Sequence, residues 1–289
     1  MNEQGQIVKS LAGFYYVDTG KAEYRCRARG IFKKEGVTPL VGDRVLITPQ
    51  DDEEGVVDEI LPRKNEFIRP LVANVDVFVI TVATAEPEPN PEIIDRFLVT
   101  AELADADACL CVNKDDLESA RAKRIADVYN GLYPTVVTSA LTGEGLEELR
   151  LAIKGRSAAF AGASGVGKTS LIALLTGDER LKVGGVSERT GRGRHTTRHV
   201  EILTLADGTK VYDTPGFTSF EAAAASDFTD ANIGALFPEF AALTDECRFN
   251  DCRHDFEPGC AVLAALENGT IKRSRYESYI KLLRKSEEK

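Results

Sequence analysis

The eight residues from Gly162 to Thr169, GASGVGKT, restrict the fold of this chain more than any other stretch. They fill the pattern G-x-x-x-x-G-K-[ST] completely. They also lie between the apolar run SAAFA and the helical pattern KTSLIALLTG. Such a loop belongs where a strand runs directly into a helix. There the backbone N–H groups of Gly162, Ala163, Ser164, Gly165, Val166 and Gly167 can curl around phosphate oxygens, at the positive end of the helix dipole. Lys168 is placed to reach the β- and γ-phosphates, Thr169 to ligate Mg²⁺, and Ser170 to complete the phosphate-binding turn.

The pattern on both sides agrees with such a strand–loop–helix unit. From about residue 71 to about 220, β-type runs alternate with helical ones. VDVFVITVAT, ACLCVN, PTVVTSA and SAAFAGAS read as strands. EIIDRFLVTAELADA, LESARAKRIADVYNGL and GLEELRLAIK read as the helices between them. RHVEILTLA and KVYDTPG add two further strands. Alternation of this kind predicts a mostly parallel sheet covered by helices on both faces.

Three more motifs fall at predicted strand ends. NKDD brings Asn113, Lys114 and Asp116. A carboxylate at Asp116 can accept from both donors on one edge of guanine, N1–H and the 2-amino group. Adenine offers no such pair and would leave the carboxylate desolvated and unpaired. TSA places Ser139 and Ala140 where a backbone N–H can face guanine O6. DTPG places Asp213 to hold Mg²⁺ through water and Gly216 to sense the γ-phosphate. The base-reading motifs precede the phosphate loop, the reverse of the ordinary order in GTPases. A sheet does not record which strand came first in the chain. Moving the termini to another loop keeps a site at the strand C-terminal ends and changes only the motif order. The sequence therefore reads as a circularly permuted GTPase domain.

The flanking regions differ. Residues 1–70 hold short β-rich runs separated by Gly20, Gly30, Gly42 and DDEEG, the pattern of an OB-like β-barrel. Residues 221–289 read as helical and irregular. They contain Cys247, Cys252, His254 and Cys260, spaced C-x₄-C-x-H-x₅-C. Three thiolates and an imidazole make a closed tetrahedral set, which predicts one structural zinc. Cys26, Cys109 and Cys111 lie on strand patterns and are expected to pack as small apolar groups.

Composition excludes some functions. The longest apolar run, Val75 to Thr84, is too short to span a bilayer, and the N-terminus has no signal-like apolar segment. A cytoplasmic monomer with reduced thiols is expected. The net charge of −10 weighs against nucleic acid as a partner. Two stretches are basic nonetheless and are candidates for RNA contact: Lys182, Arg189, Arg192, Arg194 and Arg198, and Lys272, Arg273, Arg275, Lys281, Arg284 and Lys285.

GASGVGKTS, GRGRHTTRH, DTPG and NKDD in this permuted order, with a barrel before and a Cys/His cluster after, resemble the bacterial family of ribosome small subunit-dependent GTPase A. The resemblance spans essentially the whole chain, with GKTS where the family more often has GKSS. It implies the same four zinc ligands and GTP hydrolysis stimulated by the small ribosomal subunit during late maturation. It also implies contact of the barrel and zinc domains with ribosomal RNA. The position after DTPG, where many GTPases hold a water-orienting Gln, is Phe217, so hydrolysis is expected to be slow alone. His195 is the local candidate for the catalytic group, and Thr196 or Thr197 for closing on Mg²⁺. The rival reading is an RNA-binding scaffold whose nucleotide site is only structural.

Overall fold

The computed structural model describes residues 2–178, 200–213, 221–222 and 233–287. The alternating N-terminal sequence forms β1 (Glu3–Leu11), β2 (Phe14–Asp18), β3 (Glu23–Ala28), β4 (Arg44–Pro49) and β5 (Glu54–Ile60). They pair in the order β1-β2-β3-β5-β4, and β4 returns to β1, which closes a five-stranded barrel of OB type. Period-two alternation turns Ile7, Val17, Cys26, Val45, Ile47 and Val57 inward, all fully buried. One element escapes an all-β reading. Gly30–Glu35 forms a short helix, α1, stopped at Gly36, whose φ of 69° needs no Cβ.

The central unit contains β8 (Val77–Ala83), α2 (Pro91–Leu103), β9 (Asp107–Asn113), α3 (Ser119–Tyr129), β10 (Thr135–Val137), α4 (Leu146–Ile153), β11 (Ser157–Ala161), α5 (Lys168–Thr176), β12 (Glu201–Thr204) and β13 (Lys210–Asp213). The strand order is β10-β9-β8-β11-β13-β12. All neighbours are parallel except the β12–β13 hairpin. Both faces are buried, so the strands are continuously apolar rather than alternating. Phe78, Ile80, Leu110 and Val112 belong to one core, and Val77, Val79, Cys109, Cys111 and Phe160 to the other.

Two long-range pairings join this unit to its neighbours. β1 lies antiparallel beside β12, with Lys9 opposite Glu201, so barrel and central sheet form one sheet of eleven strands. A second sheet pairs β14 (Glu221–Ala222) with β6 (Glu66–Arg69), and β6 with β7 (Leu71–Ala73). The C-terminal region contains α6 (Pro238–Ala241), α7 (Ala261–Glu267) and α8 (Arg273–Glu287) around a third core built on Phe237, Phe240, Val262 and Tyr279.

The α8 basic run is not uniformly on the surface. Arg275 is fully buried, between Asp95 of α2 and Glu239 of α6. Among the described residues no helix is long and apolar enough to cross a membrane.

Candidate nucleotide site and Cys/His cluster

β9, β10, β11 and β13 end on the same side of the parallel sheet, which brings the sequence motifs together. The phosphate loop leaves β11 at Gly162. Its φ is 143°, and a Cβ there would lie 2.1 Å from the Thr81 carbonyl, so glycine is required for this close approach. Ser164, Gly165, Thr169 and Ser170 are exposed on the loop and the first turn of α5, Ala163 is half-buried, and Val166 is buried beneath them. Lys168 folds back, its Nζ donating to the carbonyls of Gly162 at 2.7 Å and Ala163 at 2.8 Å. Burial pulls its pKa down from 10.5 to about 8, and no carboxylate among the described residues offsets that shift. An ammonium already desolvated and aimed by two carbonyls is placed to donate to phosphate oxygens.

The NKDD side of the site is built on Asn113, the last residue of β9, 1% exposed. Its Oδ1 accepts from Thr138 Oγ1 at 3.2 Å and from the Ala140 N–H at 3.0 Å, and its Nδ2 donates to the Val166 carbonyl at 2.8 Å. One amide thus joins three loops. Gly167 allows it, since a Cβ there would sit 2.2 Å from Asn113 Nδ2. The next residue, Lys114, takes a left-handed φ of 63° and donates through Nζ to the Glu86 carbonyl. Its own carbonyl accepts from Thr84 Oγ1 at 2.5 Å. Ser139 Oγ donates to Asp116 Oδ1 at 2.5 Å and accepts from the Thr142 N–H at 3.2 Å. Asp116 is thereby held while its second oxygen, Oδ2, is not used by this bond. Asp213 closes β13 beside β11.

Asn113, Lys114, Asp116, Ser139, Ala140 and the 162–170 loop are therefore assembled by the fold, with Asp213 on the neighbouring strand. Gly216, Phe217, His195, Thr196 and Thr197 lie outside the described residues, as do Lys182, Arg189, Arg192, Arg194 and Arg198. Thr84 supports the site, through its bond to the Lys114 carbonyl, without belonging to any motif. Nothing local marks Thr84, because its role depends on the strand beside it.

The four predicted metal-type residues also converge. The ligand atoms of Cys247, Cys252, His254 and Cys260 lie within 4.8 Å of one another. His254 Nδ1 is 3.7 Å from Cys247 Sγ and 3.4 Å from Cys260 Sγ, and those sulfurs are 4.0 Å apart. A tetrahedral zinc with ordinary bond lengths separates its ligand atoms by about 3.5–3.8 Å, so the set fits the ion. Nδ1 is the imidazole atom that faces the thiols. Tyr276 OH donates to the His254 carbonyl at 3.0 Å, and Tyr279 OH to the Arg253 carbonyl at 2.5 Å, which fixes the ligand loop on α8.

The GASGVGKT loop tied to the NKDD loop, on a sheet whose strands occur in rotated chain order behind a five-stranded barrel, has the architecture of a circularly permuted P-loop GTPase. Comparison with known proteins narrows this. Residues 60–223 match the RsgA GTPase family and residues 4–57 the RsgA N-terminal domain. The chain belongs to the RsgA GTPase family. It is 47% identical over 288 residues to the small ribosomal subunit biogenesis GTPase RsgA of Caldanaerobacter subterraneus subsp. tengcongensis, covering 99% of this chain and 96% of that protein. The crystal structure of YjeQ from Thermotoga maritima superposes with a TM-score of 0.78 at 34% identity, covering 99% of both chains. YloQ, described as a circularly permuted GTPase, superposes with a TM-score of 0.80 at 32% identity, covering 100% of this chain and 96% of that one.

Proposed function

We propose that this GTPase is a cytoplasmic, monomeric switch in late maturation of the small ribosomal subunit, slow on its own and stimulated by the subunit. The observation that carries the nucleotide half is the Asn113–Val166 hydrogen bond, which makes base reading and phosphate binding one site. The name carried by relatives such as the one above, 47% identical, supports the ribosomal half.

In this reading Asp116 accepts from guanine N1–H and the 2-amino group, Asn113 and Lys114 shape the pocket, and the Ser139–Ala140 backbone faces O6. Gly162 to Ser170 hold the phosphates, with Lys168 on the β- and γ-oxygens. Thr169 and Asp213 hold Mg²⁺, which supplies charge neutralisation at the phosphates. Gly216 senses the γ-phosphate, Thr196 or Thr197 closes on Mg²⁺ when GTP is bound, and His195 positions the attacking water or moves its proton. Cys247, Cys252, His254 and Cys260 hold one structural zinc. The barrel and zinc domains contact ribosomal RNA.

GTP turnover measured with small subunits, with large subunits and with neither tests the proposal. Strong stimulation by small subunits alone is expected. Equal turnover in all three would leave the site as a structural nucleotide pocket on an RNA-binding scaffold. With His195→Ala the stimulated rate should fall about a hundredfold, with GTP affinity nearly unchanged and subunit binding measured alongside. Full stimulation of that variant at saturating subunits would remove His195 from the catalytic role.

A further inference from the structure

We infer that Tyr212 is a positioning residue for the Mg²⁺ ligand beside it, Asp213, and that the barrel supplies the anchor that sets it. The inference rests on the proposed role of Asp213. The donors there suit the ion. Thr169 offers a hydroxyl on the first turn of α5, and Asp213 a carboxylate at the end of the strand beside β11. Both are hard oxygen donors of the kind Mg²⁺ takes.

β13 has only four residues, and successive side chains point to opposite faces. Val211 packs into the core shared with α5. Lys210 and Tyr212 reach toward the barrel instead. Lys210 Nζ donates to Gln6 Oε1 of β1. Gln6 Nε2 donates in turn to the Gly42 carbonyl at 3.1 Å. Tyr212 is fully buried, and its hydroxyl donates to the carbonyl of Ala73, the end of β7, at 2.7 Å. The next residue, Asn74, returns to the same glycine, with Nδ2 donating to the Gly42 carbonyl at 3.0 Å. Gly42 precedes β4 with a φ of 99°. A Cβ there would lie 2.0 Å from the Ala73 carbonyl oxygen and 2.5 Å from the Tyr212 hydroxyl oxygen. Only glycine lets the barrel close on this hydroxyl so tightly. Burial, with Asp76 and Asp43 adding to it, pushes the Tyr212 pKa up, so the phenol remains a donor.

A second tie reaches the barrel through β12. Asp213 lies opposite Glu201 in the β12–β13 hairpin, and Glu201 lies opposite Lys9 of β1. Lys9 Nζ is 3.3 Å from Glu201 Oε1. Asp213 is therefore two strands from the barrel in one row of the sheet, and one residue from the Tyr212 anchor. A phenylalanine ring would fill the same core space. What the hydroxyl adds is a fixed point one residue from the carboxylate. Mg²⁺ demands near-ideal octahedral geometry, so its affinity is sensitive to small displacements of a ligand.

The test titrates Mg²⁺ against binding of a fluorescent, non-hydrolysable GTP analogue to the full-length, zinc-loaded chain without subunits. With Tyr212→Phe, half-saturation should need about threefold to tenfold more Mg²⁺, the scale of one hydrogen bond, while affinity without added Mg²⁺ stays at the parent value. Equal loss with and without Mg²⁺ would leave Tyr212 a structural residue only and overturn the inference, as would an unshifted titration. Asn74→Gly accommodates the left-handed φ of 58° and removes the side-chain bond to Gly42, so it should shift the titration in the same direction. The double variant should be no worse than the poorer single one, because both cut one connection. Additive shifts, or an Asn74→Gly variant that titrates like the parent, would overturn the barrel as the anchor. Asp213→Asn tests the reading beneath the inference and should remove most of the Mg²⁺ dependence. If it does not, Asp213 is not the ligand, and the positioning role falls with that assignment.

Discussion

Asn113 donates from Nδ2 to the carbonyl of Val166, 2.8 Å away and 53 residues later in the chain. This bond makes motif order irrelevant, because the base-reading strand end and the phosphate loop meet through one buried amide whichever comes first. Asn113→Ala would strand the Val166 carbonyl and the Ala140 N–H together and leave the Thr138 hydroxyl only the Cys111 thiol. At about 1–3 kcal/mol for each buried group left unpaired, a stability loss of roughly 3 kcal/mol or more is expected. GTP and GDP affinity should fall in parallel, since the bond serves the site and not the γ-phosphate. Urea unfolding with nucleotide titration checks both. An affinity loss confined to GTP would contradict the joint.

Asp116 is oriented by the Ser139 hydroxyl. Asp116→Asn replaces one acceptor oxygen with a donor that opposes guanine N1–H or the 2-amino group. GTP binding should weaken by about 2 kcal/mol or more, and selectivity should relax toward xanthine nucleotides, which present an acceptor there. Competition binding with GTP and XTP decides the matter, and unchanged GTP affinity would take NKDD out of the site.

Much of this site could be read from the sequence, because its residues are fixed by chemistry at strand ends and need no knowledge of strand pairing. The joints could not be read that way. The pairings of β1 with β12 and of β14 with β6 connect segments more than 150 residues apart and leave no local pattern. Helix α1 has only six residues, too few for a helical period to show against the strands around it. Arg275 was hidden by its basic neighbours, and its buried position depends on Asp95, 180 residues away. A signal did exist: Ile271, Arg275, Ser278, Tyr279 and Leu282 are all buried and recur at helical spacing, which places Arg275 on the inner face of α8.

Lys168 makes nucleotide affinity depend on pH. In the free protein burial lowers its pKa to about 8. A bound triphosphate stabilises the ammonium and raises that value, so binding takes up a proton once the free lysine has lost one. GTP affinity should therefore be flat below about pH 8 and fall above it, by up to about tenfold per pH unit until the bound-state pKa is reached. Lys168→Gln should abolish this dependence along with most of the affinity. A parent affinity that stays level from pH 7 to pH 9.5 would refute the coupling.

The metal should be stoichiometric and structural. Purified under reducing conditions, the chain should carry about one zinc. Cys252→Ser removes one of four converging ligands from a region whose core includes Cys252 and Cys260 themselves. The variant should lose the metal, and protease should then cut within 237–287, while nucleotide binding stays largely intact because none of the assembled nucleotide residues lies there. A metal-free protein of normal stability would defeat the assignment.

Arg275 fastens that C-terminal region to the GTPase unit. Its Nη1 donates to Asp95 of α2 at 2.7 Å, and its Nε and Nη2 donate to Glu239 of α6 at 2.7 and 2.9 Å. Tyr129 OH shares Asp95 Oδ1 at 2.9 Å, and the guanidinium lies 4.5 Å from the ring centre of Phe237. Burial pushes the Asp95 carboxyl pKa above its ordinary value, and Arg275 pulls against that shift. Arg275→Met fills similar space but leaves two carboxylates with no counter-charge, one fully buried and one largely so. Removing one partner from a buried ion network costs about 3–5 kcal/mol, so a loss of that size is expected in urea unfolding. Adding Asp95→Leu and Glu239→Gln to Arg275→Met should recover part of it, because the orphaned charges are then gone. If instead the triple variant is the sum of its single losses, the stabilisation comes from packing at each position, and the joint between α2 and α8 is apolar in its energetics despite its charges.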